Sequence, residues 1–217
     1  MIKKRMILTS CLTCLTFLIL SACSSDPASS MYDQLEEQAK SEQKAAAVAE
    51  QRTRQDEISV NTYQAVLEAG ADDIKRAQNE RDELAALNQD RVALLKQEQT
   101  IRTRAFDELD LKKLANSLSS LPVAAKKDGK VLLDVFKERE KAFDTFLKRY
   151  AATIDSEKKV LSYLTEKPNF VKIDEATADL NRTSRQATEA LKTFNQLTVR
   201  YNELKPTFYK KAGLNIK

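Results

Sequence analysis

Residues 173–208 read IDEATADLNRTSRQATEALKTFNQLTVRYNELKPTF, and within them Ile173, Leu180, Ala187, Phe194, Tyr201 and Phe208 recur every seven positions. Ala176, Ala190, Leu197 and Leu204 fall three positions after members of that series. This spacing lays one apolar stripe along a helix, and a stripe sustained over so many turns needs a helical neighbour to cover it. The fold class follows: all-α, built from long, coiled-coil-like helices packed side by side.

The preceding segments agree. Residues 130–165 carry a wider apolar face: Leu132, Val135, Phe136, Ala142, Phe143, Phe146, Leu147, Tyr150, Ile154, Leu161 and Leu164. Residues 72–120 carry Leu84, Leu87, Leu94, Leu95, Ile101, Phe106, Leu109 and Leu114. Residues 31–69 are thinner, with Leu35, Ala39, Ala46, Val48, Ile58, Val66 and Leu67 diluted by Gln and Arg, and read as a peripheral or partly docked helix. No alternating strand pattern and no internal repeat is visible.

Three glycines and four prolines punctuate the whole chain. Gly70 reads as the stop of the first helix, with Asp72 or Asp73 capping the restart. A full reversal there gives four helices, and a kink in one very long helix gives three. The second helix is expected to end before Leu121-Pro122, residues 122–129 to form a connection, and the third helix to end near Lys167-Pro168. The fourth is expected from about Asp174 to Ala212, stopped by Gly213, with Pro206 kinking it or ending it about a turn early. The expected architecture is an elongated antiparallel bundle of three to four helices, each roughly 60 Å long for 40 residues.

Composition narrows the chemistry. The chain has no histidine, which removes Ser-His and Cys-His catalysis and histidine-ligated metals. No Gly-rich phosphate loop, paired-Cys metal motif or nucleophile elbow is present. Asp72, Asp73, Glu80, Asp82 and Glu83 lack the loop and spacing of a calcium site and read as an acidic helix start. Phe136, Phe143, Phe146, Tyr150, Phe194, Tyr201, Phe208 and Tyr209, at helical spacing, read as bundle core rather than as a ligand groove. No catalytic residue, metal or cofactor is expected.

The N-terminus sets the compartment. Lys3, Lys4 and Arg5 precede an apolar run from Met6 to Leu20, too short for the ~20 residues that span a bilayer and ordered like an export signal. Leu20-Ser21-Ala22-Cys23 resembles the lipobox of bacterial lipoproteins, which implies diacylglyceryl transfer to Cys23 and attachment to membrane lipid. An unmodified Cys23 would leave an exposed, unpaired thiol on an exported protein. The expected organisation is a signal peptide at 1–22, a lipidated tether at 23–30, a helical domain at 31–212 and a tail at 213–217, all extracytoplasmic after export. Three of the 36 Lys and Arg residues lie in the signal, leaving 33 against 32 Asp and Glu. The mature chain is therefore nearly neutral, and its basic balance is no argument for nucleic acid.

In an up-down bundle the tethered start, the second connection and the C-terminus share one end. Lys126, Lys127, Lys130, Lys205, Lys210, Lys211 and Lys217 fall there, with no acidic side chain after Glu203. They form a candidate basic surface facing anionic head groups or anionic wall polymers.

The closing stretch YNELKPTFYKKAGLN, residues 201–215, resembles the end of the YkyA-type lipoproteins of Gram-positive bacteria. The match includes the spacing from Tyr201-Asn202 to Phe208-Tyr209 and on to Ala212-Gly213-Leu214. The plan of lipobox, tether, Tyr32, Gly70 and long charged helices is similar across the mature chain. The resemblance implies an envelope lipoprotein of a family described as cell-wall binding, with no catalytic residues to carry over. The expected function is non-catalytic binding or scaffolding at the wall, to peptidoglycan, anionic wall polymer or an envelope protein. The alternatives are a protein-partner adaptor or extracytoplasmic chaperone, a self-assembling coiled coil, and a carboxylate-based wall hydrolase.

Overall fold

The computed structural model describes residues 26–69, 73–165 and 167–214. Its elements are α1 (Pro27–Ala69), α2 (Ile74–Asp107), α3 (Leu111–Leu118), α4 (Val123–Ser162) and α5 (Phe170–Lys211). No strand occurs among the described residues.

Side-chain pairings fix the directions. From Glu42 through Arg52 to Asp56, the α2 partners run backwards, from Arg102 through Glu98 to Arg91, so α1 and α2 are antiparallel. Glu42, Asp56 and Ser59 meet Arg139, Tyr150 and Glu157 of α4, which therefore runs with α1. Glu36 meets Lys205 and Tyr63 meets Thr177, so α5 runs against α1. The result is an up-down-up-down bundle of four long helices, packed most closely within two hairpins, α1/α2 and α4/α5. The chain thus reverses between Ala69 and Asp73. Gly70 and Asp72 lie outside the described residues, and Asp73 caps the restart by accepting from the Arg76 backbone N–H at 3.1 Å.

Four boundaries differ from expectation, each for a local reason. Helix α1 begins at Pro27, inside the expected tether, because proline suits the first helical position and Asp26 accepts from the backbone of Ala28 and Ser29. Burial of Ala28 and Met31 then fixes that turn against the core. The expected 72–120 helix is broken at residues 108–110. Asp110 caps a new helix by accepting from Lys113 N–H at 2.9 Å, and the bend buries Leu109, Leu114 and Leu118. The expected 122–129 connection is instead helical from Val123 onward. Gly129 lies inside α4 because a Cβ there would stand 2.2 Å from Leu118 Cδ2 and 3.0 Å from a Phe208 ring carbon. Finally, α5 runs through Pro206 to Lys211. The interior proline costs about 3 kcal/mol, while burying Phe208 and Tyr209 contributes about 1.5–3 kcal/mol each. The stop is Gly213 at φ +86°, with Leu214 N–H donating to Tyr209 O and Gly213 N–H to Lys210 O, a Schellman ending.

The heptad stripe of α5 faces inward as its spacing requires: Ile173, Ala187, Phe194, Tyr201 and Phe208 are buried. A chain of rings, Phe106, Phe136, Phe143, Phe146, Tyr150, Phe194 and Tyr201, crosses α2, α4 and α5 with centroids 5.2–6.4 Å apart. The aromatic positions are core.

Helix α1 is docked along its whole length rather than peripheral. Its buried face alternates apolar residues (Ala28, Met31, Leu35, Ala45, Val48, Val66, Ala69) with polar ones (Gln38, Glu42, Arg52, Ser59, Thr62) at the same three- and four-residue spacing. The Gln and Arg residues that thin the apolar pattern are themselves packed inside.

Candidate functional site

Those polar positions build a charged seam between the hairpins. Four guanidinium groups, Arg52, Arg91, Arg102 and Arg139, are buried there. They face Glu42, Asp56, Glu98 and Glu157, so the seam is neutral in sum. Arg102 bridges Glu42 at 2.7 Å and Glu98 at 3.0 Å, and Arg139 reaches Glu42 from α4. Arg91 meets Glu157 at 2.6 Å and Asp56 at 2.8 Å. The rings supply the remaining surroundings. Arg52 lies 4.9 Å from the Phe146 and Tyr150 centroids, and Arg102 5.1 and 5.0 Å from Phe143 and Phe194. Buried guanidinium groups are tolerable here because carboxylates, hydrogen bonds and ring faces replace water together.

Protonation follows from the packing. Burial alone would raise the Glu42 carboxyl, but Arg139, Arg102 and Gln38 outweigh it and hold it below the ordinary carboxylate range. Burial pushes the Tyr150 phenol up to about 12, against the pull of Arg91. Burial opposes the charge on Arg52 and Arg91, yet Glu98 beside the first, and Tyr150, Glu157 and Asp56 beside the second, raise both above the ordinary arginine value. Each of these shifts moves away from neutrality, opposite to the tuning of an acid–base catalyst at pH 7. The seam fixes charges in place.

One part of the seam reaches solvent. A cleft of about 190 Å³ opens between α1 and α5, and Arg52, Asp56, Arg91 and Tyr150 line it with Ser184 and Thr188 on the rim. Asp56 is its most accessible ion, with 28 % of its side chain exposed against 3 % for Arg52 and 7 % for Arg91. Sequence reasoning missed this cluster. Its signal was polar residues on the three–four spacing of the apolar stripe: Arg52 and Ser59 on α1, Asn88, Arg91 and Glu98 on α2.

The basic end is only partly assembled from free charges. The starts of α1 and α4 and the end of α5 meet, through Tyr32 against Tyr209 and Lys211 against Asp128 at 2.6 Å. Lys127, Lys130 and Lys210 are exposed and Lys126 is half-buried. Lys205 is buried and bonded to Glu36 at 2.6 Å, so it serves the core and not a surface. Asp26, Asp107, Glu108 and Asp110 share this end. Cys23 and Lys217 lie outside the described residues. Among the described residues no helix is long and apolar enough to cross a membrane, and no group of three potential metal ligands occurs.

Fold and site together define an all-helical bundle with a charged, ring-packed interior. The particular family is shown by its model, which matches residues 26–211: the chain belongs to the YkyA family, described as "Putative cell-wall binding lipoprotein". A 1.6 Å crystal structure of a conserved protein of unknown function from Staphylococcus aureus has a similar fold. Its TM-score is 0.68 at 16 % identity, covering 83 % of this chain and 91 % of that one. No curated protein matches the sequence.

Proposed function

We propose that this chain is an extracytoplasmic lipoprotein, anchored through acyl chains on Cys23, that binds the cell wall without catalysing a reaction. Membership of the YkyA family over residues 26–211 is the observation that carries the reading. Two acyl chains on one cysteine suffice for stable attachment where a single chain is marginal. Asp26 follows Cys23 by three residues, a reach of about 11 Å at most, which keeps the lysine-bearing end close to the bilayer. Helix α1, with 43 residues, then extends about 65 Å outward from it. The exposed lysines Lys127, Lys130 and Lys210 and the half-buried Lys126, with Lys211 and Lys217, meet anionic head groups or wall polymer. Each contributes about 1 kcal/mol or less, and the acidic residues at the same end reduce the total.

The test is fractionation of cells carrying the wild-type chain or Cys23→Ser. The wild-type protein is expected in the membrane fraction until detergent releases it. Cys23→Ser is expected to leave the membrane yet remain with intact wall. Release of Cys23→Ser into the medium would remove the wall-binding part, and a membrane-fraction wild-type protein whose mass shows no acyl group on Cys23 would remove the lipid anchor.

A further inference from the structure

We propose that the α1–α5 cleft is a carboxylate-binding site, in which Arg52, Arg91 and Tyr150 take the carboxylate of a small ligand with an apolar body when Asp56 swings out. The natural class is an amino acid or short peptide with a free carboxyl end. This site is separate from the basic end and does not depend on wall binding.

The geometry already demonstrates the recognition, with Asp56 as an internal occupant. Arg91 Nε and the Tyr150 hydroxyl donate to its Oδ1, and Arg52 Nη1 donates to Oδ2 at 3.1 Å. Three donors from three helices converge on one carboxylate. Each arginine is also held without Asp56: Arg52 by Glu98 at 3.0 Å, Arg91 by Glu157 at 2.6 Å and by Asn88 and Ser59. The donors therefore stay in place when the occupant leaves, which is the preorganisation a binding site needs.

Asp56 differs from the other seam carboxylates in being able to leave. Its side chain is 28 % exposed, against 2 % for Glu98, 7 % for Glu157 and 8 % for Glu42. Its departure leaves four buried guanidinium groups facing three carboxylates, a surplus charge that an incoming carboxylate cancels. The adjoining walls are apolar, from Val60, Phe146, Ala187 and Leu191. The cleft, about 190 Å³, is smaller than the ~300–1,000 Å³ that houses drug-sized ligands, and so suits an amino acid or dipeptide rather than a glycan strand.

The experiment is calorimetric titration of the full chain in detergent with acetate, alanine and alanyl-alanine. Saturable millimolar binding is expected, strongest for alanyl-alanine. Asp56→Ala removes the tethered competitor, so affinity rises about tenfold, and acetate raises this variant's unfolding midpoint where chloride at equal ionic strength does not. Tyr150→Phe weakens binding, and Ser184→Phe, a change at an exposed rim position, abolishes it by filling the cleft. Two results would overturn the proposal. One is a wild-type chain that binds none of the three probes while Asp56→Ala is rescued by acetate, which makes Asp56 a permanent structural partner. The other is binding indifferent to Ser184→Phe. Acetate binding as tightly as alanyl-alanine would remove the apolar body from the ligand class.

Discussion

Removing the Glu42 carboxylate puts the charged seam to a quantitative test. Glu42 is 8 % exposed and receives Arg102 at 2.7 Å, Gln38 at 2.9 Å and Arg139 from the opposite hairpin. In Glu42→Ala, Arg102 keeps Glu98, but Arg139 keeps no carboxylate, only the Thr198 hydroxyl at 2.9 Å and the faces of the Phe106, Phe194 and Tyr201 rings. Arg139 is 3 % exposed and cannot recover water without opening the hairpin interface. Stranding one partner of a buried pair costs about 3–5 kcal/mol. That is a large share of the ~5–15 kcal/mol stability of a typical protein, and at ~2–4 °C per kcal/mol it lowers the unfolding midpoint by about 6–20 °C. Glu42→Leu combined with Arg139→Met removes both charges and is expected to lie closer to the wild type than either single change. Urea unfolding followed by circular dichroism measures all five proteins: the wild type, Glu42→Ala, Glu42→Leu, Arg139→Met and the double variant. A Glu42→Ala loss below about 0.5 kcal/mol would refute the reasoning, because such a small effect belongs to a hydrated, exposed pair.

Gly129→Ala gains about 1 kcal/mol of helix propensity but drives a methyl into Leu118 and Phe208, so a net loss of about 1–2 kcal/mol is expected in urea unfolding. Stability falls with acid because Glu36 and Glu42 are held below their ordinary values. Their contribution is present above the unfolded value near 4.5 and is lost as pH falls through the folded one, so the urea midpoint should drop below about pH 4.5. At the alkaline side Tyr150, raised to about 12, contributes stability below the ordinary value of 10 that is lost as pH climbs from 10 to 12, visible as late phenolate absorbance. Reversing Lys126, Lys127, Lys130 and Lys210 to Glu, a change of two charges at each, is expected to reduce binding to anionic vesicles at low salt by about 2 kcal/mol or less per residue, with folding unchanged.

The fold was legible where packing is apolar. The seven-residue series in α5 and the aromatic face of α4 dictate a bundle, and Gly213 behaves as its position requires. The sequence misleads where a polar side chain is buried or a glycine is chosen by contact. Arg52 and Gln38 look like solvent-facing dilution of α1, yet they occupy core positions: Glu98 of α2 neutralises Arg52, and Gln38 donates to Glu42, itself paired with Arg102 of α2 and Arg139 of α4. The partners on α2 and α4 lie tens of residues away, so no local pattern reveals the pairing. Gly129 looks like a turn residue, and only the approach of Leu118 across the α3–α4 junction explains it. Lys205 looks like part of a basic tail but is spent on Glu36. The cleft at Asp56 was illegible for the same reason: its four charged and phenolic groups come from three helices.

The most direct test of the central claim is sedimentation of residues 24–217 with purified peptidoglycan, with and without its attached anionic polymers, across a salt series. Wall binding through the basic end predicts co-sedimentation that weakens with salt and with removal of the polymers. Protein that stays in the supernatant under every condition would contradict wall binding.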